Sequence, residues 1–451
     1  MADPPARSHS APSGSDKFDL LVTNGTVLTL DAENRTLRGG AVAVSGGRIA
    51  AVGPAADFAD AAADRAIDAD GGLILPGLVN VHTHAAMTLF RGLADDLPLM
   101  TWLQDHIFPA EARLNADRVY DGALLACAEM IRSGTTCFCD MYLFEESVAR
   151  AARDAGMRAA VGEVLYDFPS PNYGPIEAGF DYVAAMMDRW ADDPLIRVAV
   201  EPHSPYLCAP SLLERAAELA RSRNARLVIH LSETRDEVQQ TREKYGRTPV
   251  EHLAALGVLG PDVVAPHCVH LTEGDIALLA EHDVKAAHNP ESNMKLASGV
   301  APVPELLRAG VRVGLGTDGC ASNNDLDLLR EMDTCAKLHK VNTLDPTVLD
   351  ARTVLRMATI DAARCLGLEA EIGSLEAGKR ADLIVVDRNR PHLRPMYNPE
   401  SHLVYAVRGS DVAATVVNGR VLMADRRLET LDQAEVMARA AEAAEAVAGR
   451  E

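Results

Sequence analysis

No stretch of about 18 consecutive apolar residues occurs in the 451-residue chain, so no membrane-spanning helix and no membrane partner are expected. The opening stretch MADPPARSHSAPSGSDK lacks the apolar segment of a secretory signal, and its Pro, Ser and Ala content reads as a disordered tail over residues 1–18. Basic residues are in deficit: 44 Lys and Arg face 65 Asp and Glu, for a net charge of −21. A negative field of that size repels phosphate backbones and anionic surfaces, which argues against nucleic acid and favours a small neutral or zwitterionic substrate. Cysteine and histidine pairs at zinc-finger spacing are missing as well. The eight cysteines (Cys127, Cys137, Cys139, Cys208, Cys268, Cys320, Cys335, Cys365) fall mostly inside apolar runs, as small buried hydrophobes in a reduced, cytoplasmic setting.

What is present is an ordinary globular balance, 48% hydrophobic and 24% charged, which excludes disorder as the bulk state. Eight short apolar runs alternate with helical patterns: LILPGLVNVHTH (73–84), TTCFCDM (135–141), RAAVGEVL (158–165), IRVAVEPH (196–203), ARLVIHLSE (225–233), DVVAPHCVH (262–270), DVKAAHNPES (283–292) and VRVGLGTD (311–318). Stretches such as SLLERAAELARSR between them repeat apolar residues every three or four positions, as a helix packed on a sheet does. The alternation predicts an α/β protein with a closed (β/α)₈ TIM barrel over residues 76–370. The flanks differ, with alternating β-rich sequence and Asn-Gly or Gly-Gly turn signals at 19–75 and again at 371–430. Each is too small for its own core, so the two are expected to form one composite β-sandwich, followed by a terminal helix within 431–451.

Polar residues sit where barrel enzymes keep their chemistry, at the C-terminal ends of the runs. His82 and His84 are two apart on a strand and point to the same side, where both can reach one metal, while Thr83 faces the helices. His230 and Asp318 each end an apolar run that would otherwise strand a polar group without a partner. Three imidazoles and a carboxylate suit Zn²⁺ or Fe²⁺, and such a cation lowers the pKa of water toward neutrality. Glu233, three residues after His230, is placed for proton transfer, and His267 for orienting the attacking water. His270 and His288 read as supporting residues, and His106, His252, His282, His339, His392 and His402 as histidines without companions.

In PGLVNVHTH, HLSE, PHCVH and GTDG the chain resembles the amidohydrolase superfamily from about residue 19 to 425. In HTHAAMTLFRGLADDLPLMTWL, EPHSPYLC, HNPESNMKLASGVAPV and LGTDGCASNNDLDLL it resembles the methylthioadenosine/S-adenosylhomocysteine deaminase branch. The resemblance implies hydrolytic deamination of an adenosine-type nucleoside to its inosine analogue and ammonia, with His82, His84, His230 and Asp318 holding the metal. It further implies that Asp318 accepts a proton from water, that Glu233 protonates the purine ring with His267 assisting, that Glu111 meets the ribose, that His203 contacts the substrate and that Trp102 lines the purine pocket. No lysine ends the fourth run, so one divalent metal per subunit is expected, Zn²⁺ first, with Fe²⁺ or Mn²⁺ also suited. Relatives usually assemble as dimers or tetramers. Some members of the branch meet the substrate tail with an arginine near the end of the third strand and another shortly after. Here Glu163 takes the first place and no arginine follows until Arg189, which leaves a homocysteine tail, a methylthio group or plain adenosine open. Guanine, 8-oxoguanine or a triazine are the alternative substrates on the same metal site, and an inactive barrel scaffold is the alternative of another class.

Overall fold

The eight apolar runs all become parallel barrel strands in a computed structural model that describes residues 17–97 and 101–449, although most strands are shorter than their runs. The first three are Leu78–Thr83, Thr135–Tyr142 and Arg158–Leu165, and the fourth is broken into Ile196–Val198 and Glu201–Pro202. The last four, Leu227–Val228, Val263–Pro266, Lys285–His288 and Arg312–Leu315, pair in that order. Two seams close the ring. The Val228 and His230 N–H groups donate to Val200 and His203 carbonyls at 3.0 Å each, joining the fourth strand to the fifth. Across the other seam the Asp318 N–H donates to the His82 carbonyl at 3.0 Å, and the Asn80 amide donates to Thr317 Oγ1 at 2.8 Å. Gly316 allows this approach, because a Cβ there would lie 2.8 Å from the His82 carbonyl oxygen.

Small residues fill the barrel interior: Val79, Val81, Cys137, Cys139, Ala160, Ala199, Val228, Val264 and Ala287 are all buried in one cluster. Phe138 points the other way into the larger core between strands and helices, so the two cysteines of that run share the inner face. All eight cysteines are buried and free. The helices follow from their sequences in the ordinary way. Ala116–Ser133 begins at Asn115, whose side chain accepts the Arg118 N–H, buries Val119, Ala123, Ala126, Cys127 and Met130 on one face, and ends at Gly134 with φ of 91°.

Both flanks enter a single nine-stranded sheet. Leu73–Pro76 is the hinge of this sheet, pairing parallel to Lys17–Leu28 and antiparallel to Leu383–Val386. Val22, Val44, Ile74, Val385 and Val416 share one core, which requires the sheet to fold back on itself. Arg158 fastens the barrel to it, donating to both carboxylate oxygens of Asp382 at 2.9 and 3.2 Å with both side chains buried. Removing one partner of such a pair costs about 3–5 kcal/mol, because the other charge stays buried. The terminal helix Gln433–Val447 packs on Ala116–Ser133 through Val436, Ala440, Ala443 and Val447. The tail expected over 1–18 falls outside the described residues up to 16, and the first strand starts at Lys17. No described helix is long and apolar enough to cross a membrane.

Candidate active site

The polar ends of the strands converge on one cavity of about 660 Å³ at the C-terminal mouth of the barrel. His82 lies beneath this cavity, fully buried, with its ring centroid 4.8 Å from that of His84, 5.0 Å from His230 and 5.7 Å from His267. Backbone carbonyls fix two of these rings. His84 Nδ1 meets the Met141 carbonyl and His230 Nδ1 donates to the His203 carbonyl at 2.8 Å, which leaves each Nε2 to face the centre. Asp318 Oδ1 lies 3.1 Å from His84 Nε2 and 3.5 Å from His82 Nε2. Its Oδ2 accepts the Ser292 hydroxyl at 2.6 Å and the Ser322 hydroxyl at 3.0 Å. Asp318 itself has φ of +59° and His267 has +72°, left-handed conformations that are costly for residues with a Cβ and that turn both side chains over the mouth.

Burial opposes ionisation of Asp318, but the neighbouring His82 and His84 imidazoles outweigh it and hold the carboxyl well below the usual range. Burial also drives the His82 imidazole down to about 4, so it is neutral. The ligand atoms of His82, His84 and His230 lie within 4.8 Å of one another, and so do those of His82, His267 and Asp318. Neither His82 nitrogen has a hydrogen-bond partner. A fully buried imidazole without a partner is costly unless something else takes its lone pair, and a divalent metal between these four side chains would do that. The donor set of His82, His84, His230 and Asp318 therefore fits a divalent metal.

Glu233 and His267 stand beside this group, with Glu233 Oε2 3.8 Å from His267 Nε2. His267 Nδ1 bonds Asn293 Oδ1 at 3.0 Å, which turns Nε2 toward the cavity. The Glu237 carboxylate accepts the Ser232 and Glu233 N–H groups at 2.9 and 2.7 Å and so holds the loop that carries Glu233. Burial raises the Glu233 carboxyl, offset in part by His267. Farther from the floor, Glu111 accepts the Tyr142 hydroxyl at 2.8 Å, and burial pushes its carboxyl up to about 7. His203 and Trp102 also line the cavity, and burial lowers His203 to about 3.

The cavity thus brings together His84, Trp102, Glu111, His203, His230, Glu233, His267 and Asp318, with His82 beneath it. His270 is turned away and bonds the Ser298 carbonyl at 2.7 Å. One expectation needs correction: His339 is not without companions. Its Nε2 lies 3.0 Å from that of His288, beside Cys335, in a buried cluster formed by residues 51 apart in sequence, a pairing that no local pattern could reveal. His392 also has a partner, Asp411, at 2.8 Å, and His252 stacks on Tyr245 at 3.9 Å. Sequence reasoning missed the roles of Tyr142, Ser292, Asn293 and Ser322, polar residues on the second strand, in the short helix Pro290–Lys295 after the seventh and in the loop after the eighth, whose roles arise from what they touch.

The amidohydrolase family matches residues 73–422, and the chain belongs to that family. The 5-methylthioadenosine/S-adenosylhomocysteine deaminase of Syntrophobacter fumaroxidans is 64% identical over 427 residues, 94% of this chain and 98% of the relative. A 5′-deoxyadenosine deaminase of Methanothermobacter thermautotrophicus is 48% identical, over 96% of this chain and the whole of the relative. Among solved structures, an adenosine deaminase from Xanthomonas campestris with bound zinc superposes with a TM-score of 0.94 at 42% identity, covering 96% of this chain and 99% of that one.

Proposed function

We propose that this chain is a metal-dependent hydrolase of C–N bonds that deaminates adenosine-type nucleosides, 5′-methylthioadenosine, S-adenosylhomocysteine, 5′-deoxyadenosine or adenosine, to the inosine analogue and ammonia. The observation that carries the reading is the set of His82, His84, His230 and Asp318 at the floor of one cavity, with Glu233 and His267 beside it and Glu111 on its wall. The family and its deaminase relatives support the reaction class. A single Zn²⁺ per chain held by those four residues, with Fe²⁺ or Mn²⁺ as substitutes, is the cofactor proposed.

When bound, the cation lowers the pKa of water so that a nucleophile is available at neutral pH. Asp318, held ionised, takes one proton of that water as oxygen bonds to C6 of the purine. Glu233, whose carboxyl burial raises toward the protonated form, is the proton donor to the ring nitrogen next to C6, so the adduct carries no net ring charge. The C6–N bond then breaks. The departing amine leaves as ammonia with the proton Asp318 held, and Glu233 recovers the second water proton, restoring both groups. His267, oriented by Asn293, steadies the attacking oxygen through its Nε2. Glu111 accepts ribose hydroxyls, Tyr142 holds that carboxyl in place, and Trp102 and His203 pack against the base.

The test is ammonia release by the metal-loaded protein from the four nucleosides. At least one should be turned over with kcat/KM above about 10⁴ M⁻¹s⁻¹. Release from none of them contradicts the reading.

A further inference from the structure

The wall of the cavity beyond Glu111 differs in character from the floor. Phe108 lies three residues before Glu111 on the short helix Phe108–Glu111, so both face the same side and both line the cavity. Tyr166, within electrostatic reach of Glu111, stacks on Phe168 with centroids 3.9 Å apart and planes 13° from parallel. Both of these rings line the cavity too. Phe108 and Phe168 line the cavity while each remains 43% exposed. Large aromatic rings left in water next to a binding site are apolar area awaiting cover by a ligand.

Charge along this wall points the same way. Among the described residues that line the cavity there is no lysine or arginine, and the carboxyl groups are those of Glu111, Glu233 and Asp318. A ligand carboxylate here would be desolvated against aromatic rings, with a carboxylate nearby and no positive partner, which opposes binding. An uncharged thioether or methyl group meets no such cost and gains by covering Phe108 and Phe168.

We infer that Phe108, Tyr166 and Phe168 form an apolar subsite for the 5′ substituent, which makes the preferred substrate a nucleoside with an uncharged 5′ alkyl or alkylthio group rather than a zwitterionic amino-acid tail. This rests on the nucleoside deaminase reading, with Glu111 fixing the ribose so that its 5′ carbon faces the three rings.

The experiment compares kcat/KM of the metal-loaded protein for 5′-methylthioadenosine, 5′-butylthioadenosine and S-adenosylhomocysteine. The second and third carry tails of similar length and differ in charge. Both alkylthio nucleosides should exceed S-adenosylhomocysteine at least tenfold and lie within fivefold of each other. In Phe168→Arg, which places a cation on this wall, the ratio of 5′-methylthioadenosine to S-adenosylhomocysteine should fall at least fivefold. S-adenosylhomocysteine turned over as well as 5′-methylthioadenosine would overturn the inference, and so would a 5′-butylthio compound as poor as S-adenosylhomocysteine or an unchanged ratio in Phe168→Arg. Each of those results still requires deamination to occur, so they are distinct from failure of the deaminase reading, in which no nucleoside releases ammonia.

Discussion

At the floor of the cavity, His82, His84, His230, His267 and Asp318 crowd together with their orientations set by carbonyls, Asn293 and two serines. At its rim, Phe108, Tyr166 and Phe168 present aromatic faces with no cation among them. The floor is polar, buried and over-determined, and a small displacement there breaks a hydrogen bond. The rim is apolar and half exposed, and a change there alters which substrates are accepted while the reacting groups stay in place. Chemistry and selectivity are thereby separated along one axis of the barrel, with the reacting groups at or just past the strand ends and the aromatic rings on a short helix and a loop.

The sharpest way to break this comparison is at the floor. Asp318→Asn keeps the size and much of the hydrogen bonding with Ser292 and Ser322 but removes the charge, and activity should fall by about 10³-fold or more. Its Tm should shift by only a few degrees. Near-normal turnover would remove Asp318 from the reaction. Glu233→Gln should lower kcat by about 10²–10³-fold with little change in KM, since it withdraws a proton and leaves the pocket shape intact. A loss confined to KM would make Glu233 a binding group. Halfway up the wall, Glu111→Gln exchanges a charged acceptor for a neutral amide. It should cost about ten- to a hundredfold in kcat/KM for ribonucleosides, with a much smaller loss for analogues lacking the ribose hydroxyls. Equal losses for both would detach Glu111 from the sugar.

A third region sharpens the contrast further. On the second, third and fourth strands and at the start of the helix after the second, Asp140, Glu163, Glu201 and Glu145 are fully buried, and burial raises Glu163 to about 7. Glu163 faces the Glu145 N–H, 2.9 Å away, and Tyr173 and Tyr182 feel its charge. A carboxyl whose pKa rises on folding binds its proton more tightly in the folded chain. Its stabilising share is complete below the unfolded value near 4.5 and is lost as pH climbs through about 7. Glu163→Gln removes that titration, so the Tm of the variant relative to the unaltered protein should be higher at pH 8 than at pH 5. The full span is on the order of 3 kcal/mol. A Tm difference independent of pH would mean that Glu163 does not titrate in this range.

The floor was legible in the sequence because its residues end apolar runs, a position that a strand of period two and a barrel mouth make meaningful. His82 and His84 could be placed on one side from spacing alone. The composite sheet was legible too, since neither flank has enough apolar residues to close a core. Strand lengths were not: the run 225–233 yields Leu227–Val228 as regular strand and an isolated bridge at Leu231 before the chain turns at Ser232, with φ of +52°. The rim escaped because Phe108, Tyr166 and Phe168 lie on a short helix and a loop, where no periodicity marks an inward face. In the sequence Glu163 reads only as standing where some members of the branch carry an arginine, and its bond from the Glu145 N–H emerged only with the fold. The pairing of His288 with His339 is likewise a property of the fold, not of either segment.

The most direct measurement follows ammonia release from 5′-methylthioadenosine together with metal content, before chelation, after it, and after Zn²⁺ is restored. The account predicts about one equivalent of divalent metal per chain, loss of turnover as that equivalent is removed and recovery when it returns. Undiminished turnover by metal-free protein would contradict it.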